Sequence, residues 1–203
     1  MTTPLHAVAL VCTLTPSPDA SSSDLLAGQV LDALAEHDVT GERIRLVDLN
    51  IRPGIQLDMG EGDQWPQVRA KLMTADIVLV ATPIWLGHAS SVAQQALERL
   101  DAEISETDDQ GRLLTYGKVG IVAVVGNEDG AHKISADLFQ ALNDVGFTIP
   151  AGGVTYWNGE AMHTVDYQDL DETPEQVAST TKTLAANAAH LARLLHTTNY
   201  PPS

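Results

Sequence analysis

Apolar residues run almost unbroken through 6–14 (HAVALVCTL), 76–82 (DIVLVAT) and 119–125 (VGIVAVV). Such runs predict strands buried on both faces of a sheet. Residues 43–49 (RIRLVDL) alternate polar and apolar, which predicts a half-exposed strand nearer a sheet edge. A weaker run over 147–156 is broken by Pro150, Gly152 and Gly153. Between these runs apolar positions recur at helical spacing. They are Leu26, Val30, Ala33 and Leu34, then Val68 and Leu72, then Val92, Ala96, Leu97 and Leu100. Ile134, Leu138, Ala141, Leu142 and Val145 follow, and Val177, Leu184, Ala188, Leu191 and Leu195 mark a long last helix. Gly41 predicts the end of the first helix and Pro83 the end of the 76–82 strand. Thr173-Pro174 reads as a cap followed by proline in the first turn.

Strands alternating with helices at this spacing imply right-handed βαβ units, hence an α/β three-layer sandwich. Five parallel strands in the order 2-1-3-4-5 are expected, in one domain over 1–198 with a frayed tail at 199–203. Two connections exceed the usual few residues. One, 101–116, is strongly acidic (Glu103, Glu106, Asp108, Asp109), as a solvated or partner-facing loop would be. The other, 157–173, carries Trp157, Met162, His163 and Tyr167.

Composition narrows the functional classes. The 203 residues include 27 acidic and 11 basic side chains, a net charge of −16. That balance argues against nucleic-acid and anionic-membrane partners. The single cysteine, Cys12, lies in an apolar run and reads as a buried small residue. No apolar stretch approaches the roughly 18 residues of a membrane span, and the N-terminus does not resemble a secretory leader. A cytoplasmic location is the expectation. His163 with Asp166 lacks the helix spacing and third ligand of a metal site, so none is expected.

In an open doubly wound sheet, ligands bind beyond the carboxyl ends of the strands where the strand order reverses. Three loops meet there. The first, 13–23 (TLTPSPDASSS), places the hydroxyls of Thr13, Thr15, Ser17, Ser21, Ser22 and Ser23 before a helix. Hydroxyls and helix N–H groups suit a phosphate, yet the same residues also suit an ordinary helix cap. The second reads Thr82-Pro-Ile-Trp-Leu-Gly-His-Ala-Ser-Ser and the third Gly126-Asn-Glu-Asp-Gly-Ala-His-Lys. The sequence has neither a Gly-x-Gly-x-x-Gly after the first strand nor a Gly-Lys-Ser/Thr, so Rossmann dinucleotide and P-loop sites are excluded.

At these residues the chain resembles the NAD(P)H-dependent FMN reductase and flavodoxin-like quinone reductase family, over about its first three-quarters. Leu14-Thr-Pro-Ser stands where members carry Gly-Ser-Pro-Arg, and 75–87 looks like their strand ending in Ser/Thr-Pro-x-aromatic-x-Gly. Gly117-Lys118 before the fourth strand matches as well. Ser17 departs from the Arg or Lys of many members and brings the loop closer to that of flavodoxins.

The resemblance implies a flavodoxin-like fold and an FMN cofactor. It implies that Thr13, Thr15, Ser17, Ser21, Ser22 and Ser23 bind the FMN phosphate. Pro83, Ile84, Trp85, Leu86 and Gly87 would run along the ribityl chain and flavin ring. Gly126, Asn127, Glu128, Asp129 and Gly130 would flank its pyrimidine edge. Hydride would pass from NADH or NADPH to the flavin and on to a quinone or similar small acceptor, with no catalytic side chain required. His88, His132, Trp157 and Tyr167 are candidates to line the substrate face, and a homodimer or homotetramer is implied. Two rival classes are a flavodoxin-type electron carrier and a flavodoxin-like module without cofactor.

Overall fold

A computed structural model describes residues 4–160 and 164–202, so Met162 and His163 lie outside the described residues. The apolar runs form the inner strands β1 (Leu5–Val11), β3 (Ile77–Trp85) and β5 (Val119–Gly126). The outer strands are β2 (Val39–Arg45) and β6 (Val154–Asn158). Together they make a parallel sheet of order β2-β1-β3-β5-β6. This is the expected flavodoxin-like order once a further two-residue strand, β4 (His88–Ala89), is counted; it pairs antiparallel with the end of β3.

Alternate strand residues feed two cores. Ala7, Ala9, Val11, Leu79 and Ala81 face α1 (Ser22–Ala35) and α5 (Glu175–Thr197). Ala185, Ala188, Ala189 and Ala192 of α5 are all buried there, and side chains this small let the helix lie close on the sheet. Val8, Leu10, Val78, Val80, Val122 and Val124 face α2 (Trp65–Thr74), α3 (Ser91–Leu100) and α4 (Ala131–Asp144). Cys12 is fully buried on this second side, and burial pushes its thiol up to about 12. No helix among the described residues is long and apolar enough to cross a membrane.

Several boundaries differ from the sequence reading, each for a local reason. β2 begins at Val39, not 43, because α1 already ends at Ala35 and Asp38 turns the chain with φ 56°. Gly41 is therefore a strand residue opposite Ala7, where a Cβ would meet Leu31 Cδ2 of α1 at 2.7 Å. Residues Leu46–Asp48 wind into a 3-10 turn instead of continuing the strand. β3 continues through Pro83 to Trp85 because its ladder with β1 stops at Val11↔Ala81, so Pro83 has a strand neighbour only on the β5 side. The weak run at 147–156 holds only an isolated bridge at Thr148 before β6 starts. Pro174 is itself the N-cap of α5, and Thr173 Oγ1 accepts from Gln29 Nε2 at 2.8 Å instead of capping.

Two segments expected to be solvated are tied down. In the acidic connection, Glu103 is buried and takes two hydrogen bonds from Arg69, at 2.6 and 3.0 Å. After α5, Tyr200 stacks on Tyr116 at 5.2 Å and shares a hydrogen bond with Thr148 at 2.9 Å. The 49–64 connection is held in a similar way. Arg99 of α3, fully buried, pairs with the fully buried Asp63 at 2.8 Å. It also donates to the carbonyls of Arg52 and Gln56 and lies over the Trp65 ring.

Candidate functional site

β1, β3 and β5 end side by side, and beyond their carboxyl ends lies a cavity of about 300 Å³. Its floor is the chain leaving β1. Thr13, Thr15, Ser21, Ser22 and Ser23 all line it, with Leu14 and Ala20. One wall is Pro83, Ile84 and Trp85 of β3, and the other is Val125, Gly126 and Asn127. Asp166 and Gln168 close it from the β6–α5 connection.

The hydroxyls on the floor share one property. Thr13 Oγ1 accepts from the Thr15 N–H (3.1 Å), Ser21 Oγ from the Asp24 N–H (3.4 Å), and Ser22 Oγ from the Gln168 N–H (3.3 Å). Each thus acts only as an acceptor, and its own hydrogen is uncommitted. Thr15 and Ser23 use their hydroxyls in no hydrogen bond among the described residues. Elsewhere the pattern is reversed: Ser90 Oγ donates to Cys12 O, Thr115 Oγ1 to Val145 O and Ser135 Oγ to Ala131 O. Free hydroxyl hydrogens are therefore gathered at the start of α1, where the Ser22 and Ser23 N–H groups precede any intrahelical acceptor.

The loop that carries them is braced from behind. Arg45, on β2, donates to the carbonyls of Asp19 (2.8 Å) and Thr15 (3.4 Å) and pairs with Asp24 at 3.1 Å. Its guanidinium, which is not part of the cavity lining, gathers carbonyls of the loop. Ser17 does not line the cavity; its hydroxyl and N–H donate to the two oxygens of Asp48 at 2.6 and 2.8 Å. Those two bonds, with Arg45 nearby, hold the Asp48 carboxyl below the usual range.

The walls depend on backbone approach. Leu86 and Gly87 link β3 to β4 in a two-residue turn with φ 52° and 71°, the geometry of a type I′ hairpin. Leu86 is 88% exposed and Trp85 54%, so apolar groups stand at the cavity mouth. A Cβ at Gly130 (φ 141°) would meet Gly87 Cα at 2.8 Å, and one at Gly126 would meet Ile84 Cβ at the same distance. Glycine at both positions lets the β5–α4 loop press against the β3–β4 turn.

Other expected residues sit outside the lining. Glu128, Asp129 and Gly130 form the back of the β5–α4 loop, where Asp129 Oδ1 accepts from the Gly130 N–H. His88 Nδ1 lies 2.8 Å from Leu86 O, and His132 Nε2 lies 2.9 Å from Tyr156 Oη. Trp157 and Tyr167 stack on each other at 5.5 Å, and Tyr167 is buried against the α1 side of the core. Its hydroxyl donates to Gln29 Oε1 at 2.6 Å. Sequence reasoning missed Arg45, Asp48, Asp166 and Gln168. Arg45 left a trace as a cation alternating with apolar residues, and Asp166 was weighed only as a metal ligand beside His163.

Free neutral donors, helix N–H groups and an apolar mouth fit a phosphate-bearing aromatic ligand such as FMN. The comparisons with known proteins agree. The profile described as NADPH-dependent FMN reductase matches residues 7–161, so the chain belongs to that family, whose cofactor is FMN and whose electron donor is NAD(P)H. The 8-demethyl-8-aminoriboflavin-5'-phosphate synthase of Streptomyces davaonensis is 29% identical over 97% of this chain and 80% of its own length. A crystal structure of RosB with a bound intermediate, 8-demethyl-8-formylriboflavin-5'-phosphate, superposes with a TM-score of 0.87 at 29% identity, covering 97% of this chain and 82% of that one. A divalent metal cation transporter MntH of Mycobacterium bovis is 33% identical over 94% of this chain, which spans only 29% of that protein's length.

Proposed function

We propose that this member of the NADPH-dependent FMN reductase family holds FMN in the cavity beyond β1, β3 and β5 and passes electrons from NAD(P)H to a quinone or similar small acceptor. The observation that carries this reading is the gathering of uncommitted hydroxyl donors at the start of α1. Thr13, Thr15, Ser21, Ser22 and Ser23 donate to the phosphate, and Ser17 acts behind them by locking the loop to Asp48. Pro83, Ile84 and Trp85 with the Leu86-Gly87 turn flank the ribityl chain and flavin ring. Gly126 and Asn127 face its other side, backed by Glu128, Asp129 and Gly130.

FMN, when bound, supplies hydride transfer between a nicotinamide and the acceptor. The chain's own task is to fix the ring and leave one face open for each partner in turn, which needs no proton-transferring side chain. Trp85, Leu86 and Leu14, exposed beside the mouth, border that open face, and a second copy of the chain docks against them in a homodimer or homotetramer. The whole of 1–198 acts as one domain, in the cytoplasm.

A second reading is favoured by the synthase relative, whose name gives 8-demethyl-8-aminoriboflavin-5'-phosphate as its product. In it the same cavity holds a flavin 5'-phosphate as the molecule transformed. One experiment separates the two. Protein loaded with FMN is mixed anaerobically with NADH or NADPH, then exposed to a quinone, and the flavin is recovered for mass analysis. Bleaching of the flavin band, its return with quinone and an unchanged flavin mass support the reductase. An altered flavin mass supports the second reading. Flavin that binds but is never bleached by a nicotinamide leaves an electron carrier and defeats the first.

A further inference from the structure

The 164–170 segment, following β6 and leading toward α5, crosses the phosphate end of the cavity as a strap fastened on both sides. On one side Asn127 Nδ2 donates to Asp166 Oδ1 at 3.0 Å. On the other, Tyr167 Oη donates to Gln29 Oε1 of α1, and the Gln168 N–H donates to Ser22 Oγ. The Tyr167 ring is buried against Trp157, which stiffens the strap between its fastenings.

Within this closed arrangement the Gln168 side chain stands out. It lines the cavity next to Ser22, and its Oε1 is buried without a hydrogen-bond partner. Its Nε2 makes no hydrogen bond to any described residue either. A buried amide oxygen left without a partner is costly in a finished structure, and a group that keeps such a cost is usually waiting for a partner. The oxygen is the enclosed end of the amide, and Nε2, which is not enclosed, carries two N–H hydrogens that no described acceptor takes. Gln168 can therefore present two N–H donors to whatever lies over the start of α1.

We propose that Gln168 is a specificity-determining residue of this site, whose side-chain amide closes over the phosphate of the flavin and selects the phosphorylated form over riboflavin. This rests on the reading of the cavity as an FMN site. The amide adds a neutral donor from above to the hydroxyl and N–H donors below. Fastening of the strap to Ser22 fixes its distance from the phosphate in advance, so little freedom is lost on binding. A donor without charge also suits a chain of net charge −16, in which a cation at the same place would draw carboxylates such as the neighbouring Asp166.

The test is fluorescence-quenching titration of FMN and of riboflavin into wild-type protein, Gln168→Leu and Gln168→Glu, with thermal melts of the ligand-free proteins beside them. Leu keeps the bulk and removes the donor; Glu keeps the shape and replaces the donor with a charge facing a dianion. FMN affinity is expected to fall about tenfold in Gln168→Leu. It should fall more than about a hundredfold in Gln168→Glu, since like charges brought together cost several kcal/mol. Riboflavin should bind all three proteins about equally well. Equal loss of FMN in the two variants, or riboflavin affinity falling in step with FMN, overturns the proposal, the second by showing that Gln168 shapes the cavity without reading the phosphate. Melting temperatures that drop while the riboflavin affinity holds do not rescue a missing FMN effect. Wild-type protein that binds neither ligand overturns the FMN site itself.

Discussion

Two dense polar clusters lie in this chain, and they are wired in opposite ways. Around Arg99 the groups are charged, fully buried and turned on one another: Asp63 takes the guanidinium and the N–H groups of Arg52, Met59 and Trp65. Burial raises the Asp63 pKa, but Arg99 and those backbone donors outweigh it and hold the carboxyl well below the usual range. At the start of α1 the groups are neutral, and no described acceptor takes up their hydroxyl hydrogens. The first cluster closes a long connection onto α3; the second is left open for a ligand. Basic side chains near the second cluster illustrate the same division, because Arg43 and Arg45 are occupied by Asp24 and by loop carbonyls. In this chain charge closes structure and neutral donors are kept for binding.

Breaking the closed cluster should have the largest effect. Asp63→Ala leaves the Arg99 charge buried and unpaired, and about 3–5 kcal/mol of folding stability should be lost in urea unfolding. FMN affinity of the folded protein should change little. The open cluster should behave in the converse way. Ser22→Ala with Ser23→Ala should weaken FMN about ten- to a hundredfold in the same titration. Its unfolding free energy should move by less than about 1 kcal/mol.

Arg45→Met tests the boundary between the clusters, since it removes the brace and no donor that faces the cavity. FMN affinity should fall by a factor of about five, equivalent to about 1 kcal/mol. An effect as large as that of the serine pair would mean that Arg45 touches the ligand.

The smallest effect concerns pH. The Asp48 carboxyl is held low by the Ser17 hydroxyl and N–H, so its folded pKa lies below the unfolded one. Its stabilisation is complete above the unfolded value of about 3.9 and is lost as pH falls through the lowered folded value. The difference in melting temperature between wild type and Asp48→Asn should therefore be constant from neutral pH down to about 5 and shrink as the pH falls further, through the lowered folded value. A difference that changes around neutrality would place another titrating group at the anchor.

The fold and most of the cavity lining were legible because both follow from local pattern. Three unbroken apolar runs mark the inner strands, and the switch point follows from their order. Thr13, Thr15, Ser21, Ser22, Ser23, Pro83, Ile84, Trp85, Gly126 and Asn127 line the cavity as that reasoning placed them. What was hidden depends on contacts between distant segments. Ser17 looks like its neighbours until Asp48, far along the chain, is folded beside it. Gln168 carries no motif, and its place over Ser22 is set by the path of a long connection. Trp157 and Tyr167 drew attention as aromatics in that connection, yet they anchor it to the core. The first helix does end before Gly41, but the glycine's own place in β2, beneath Leu31, was hidden, because a glycine after a helix looks the same whether it ends the helix or lets a strand pass beneath it.

The division between the clusters is tested most directly by the salt dependence of FMN binding to the wild-type protein. A phosphate held by lysines or arginines loses affinity steeply as ionic strength rises, whereas one held by hydroxyl and N–H donors does not. Between about 0.02 and 0.5 M salt the dissociation constant should stay constant or tighten slightly, because screening relieves repulsion between the dianion and a chain of net charge −16. A dissociation constant that climbs tenfold or more across that range would contradict the account.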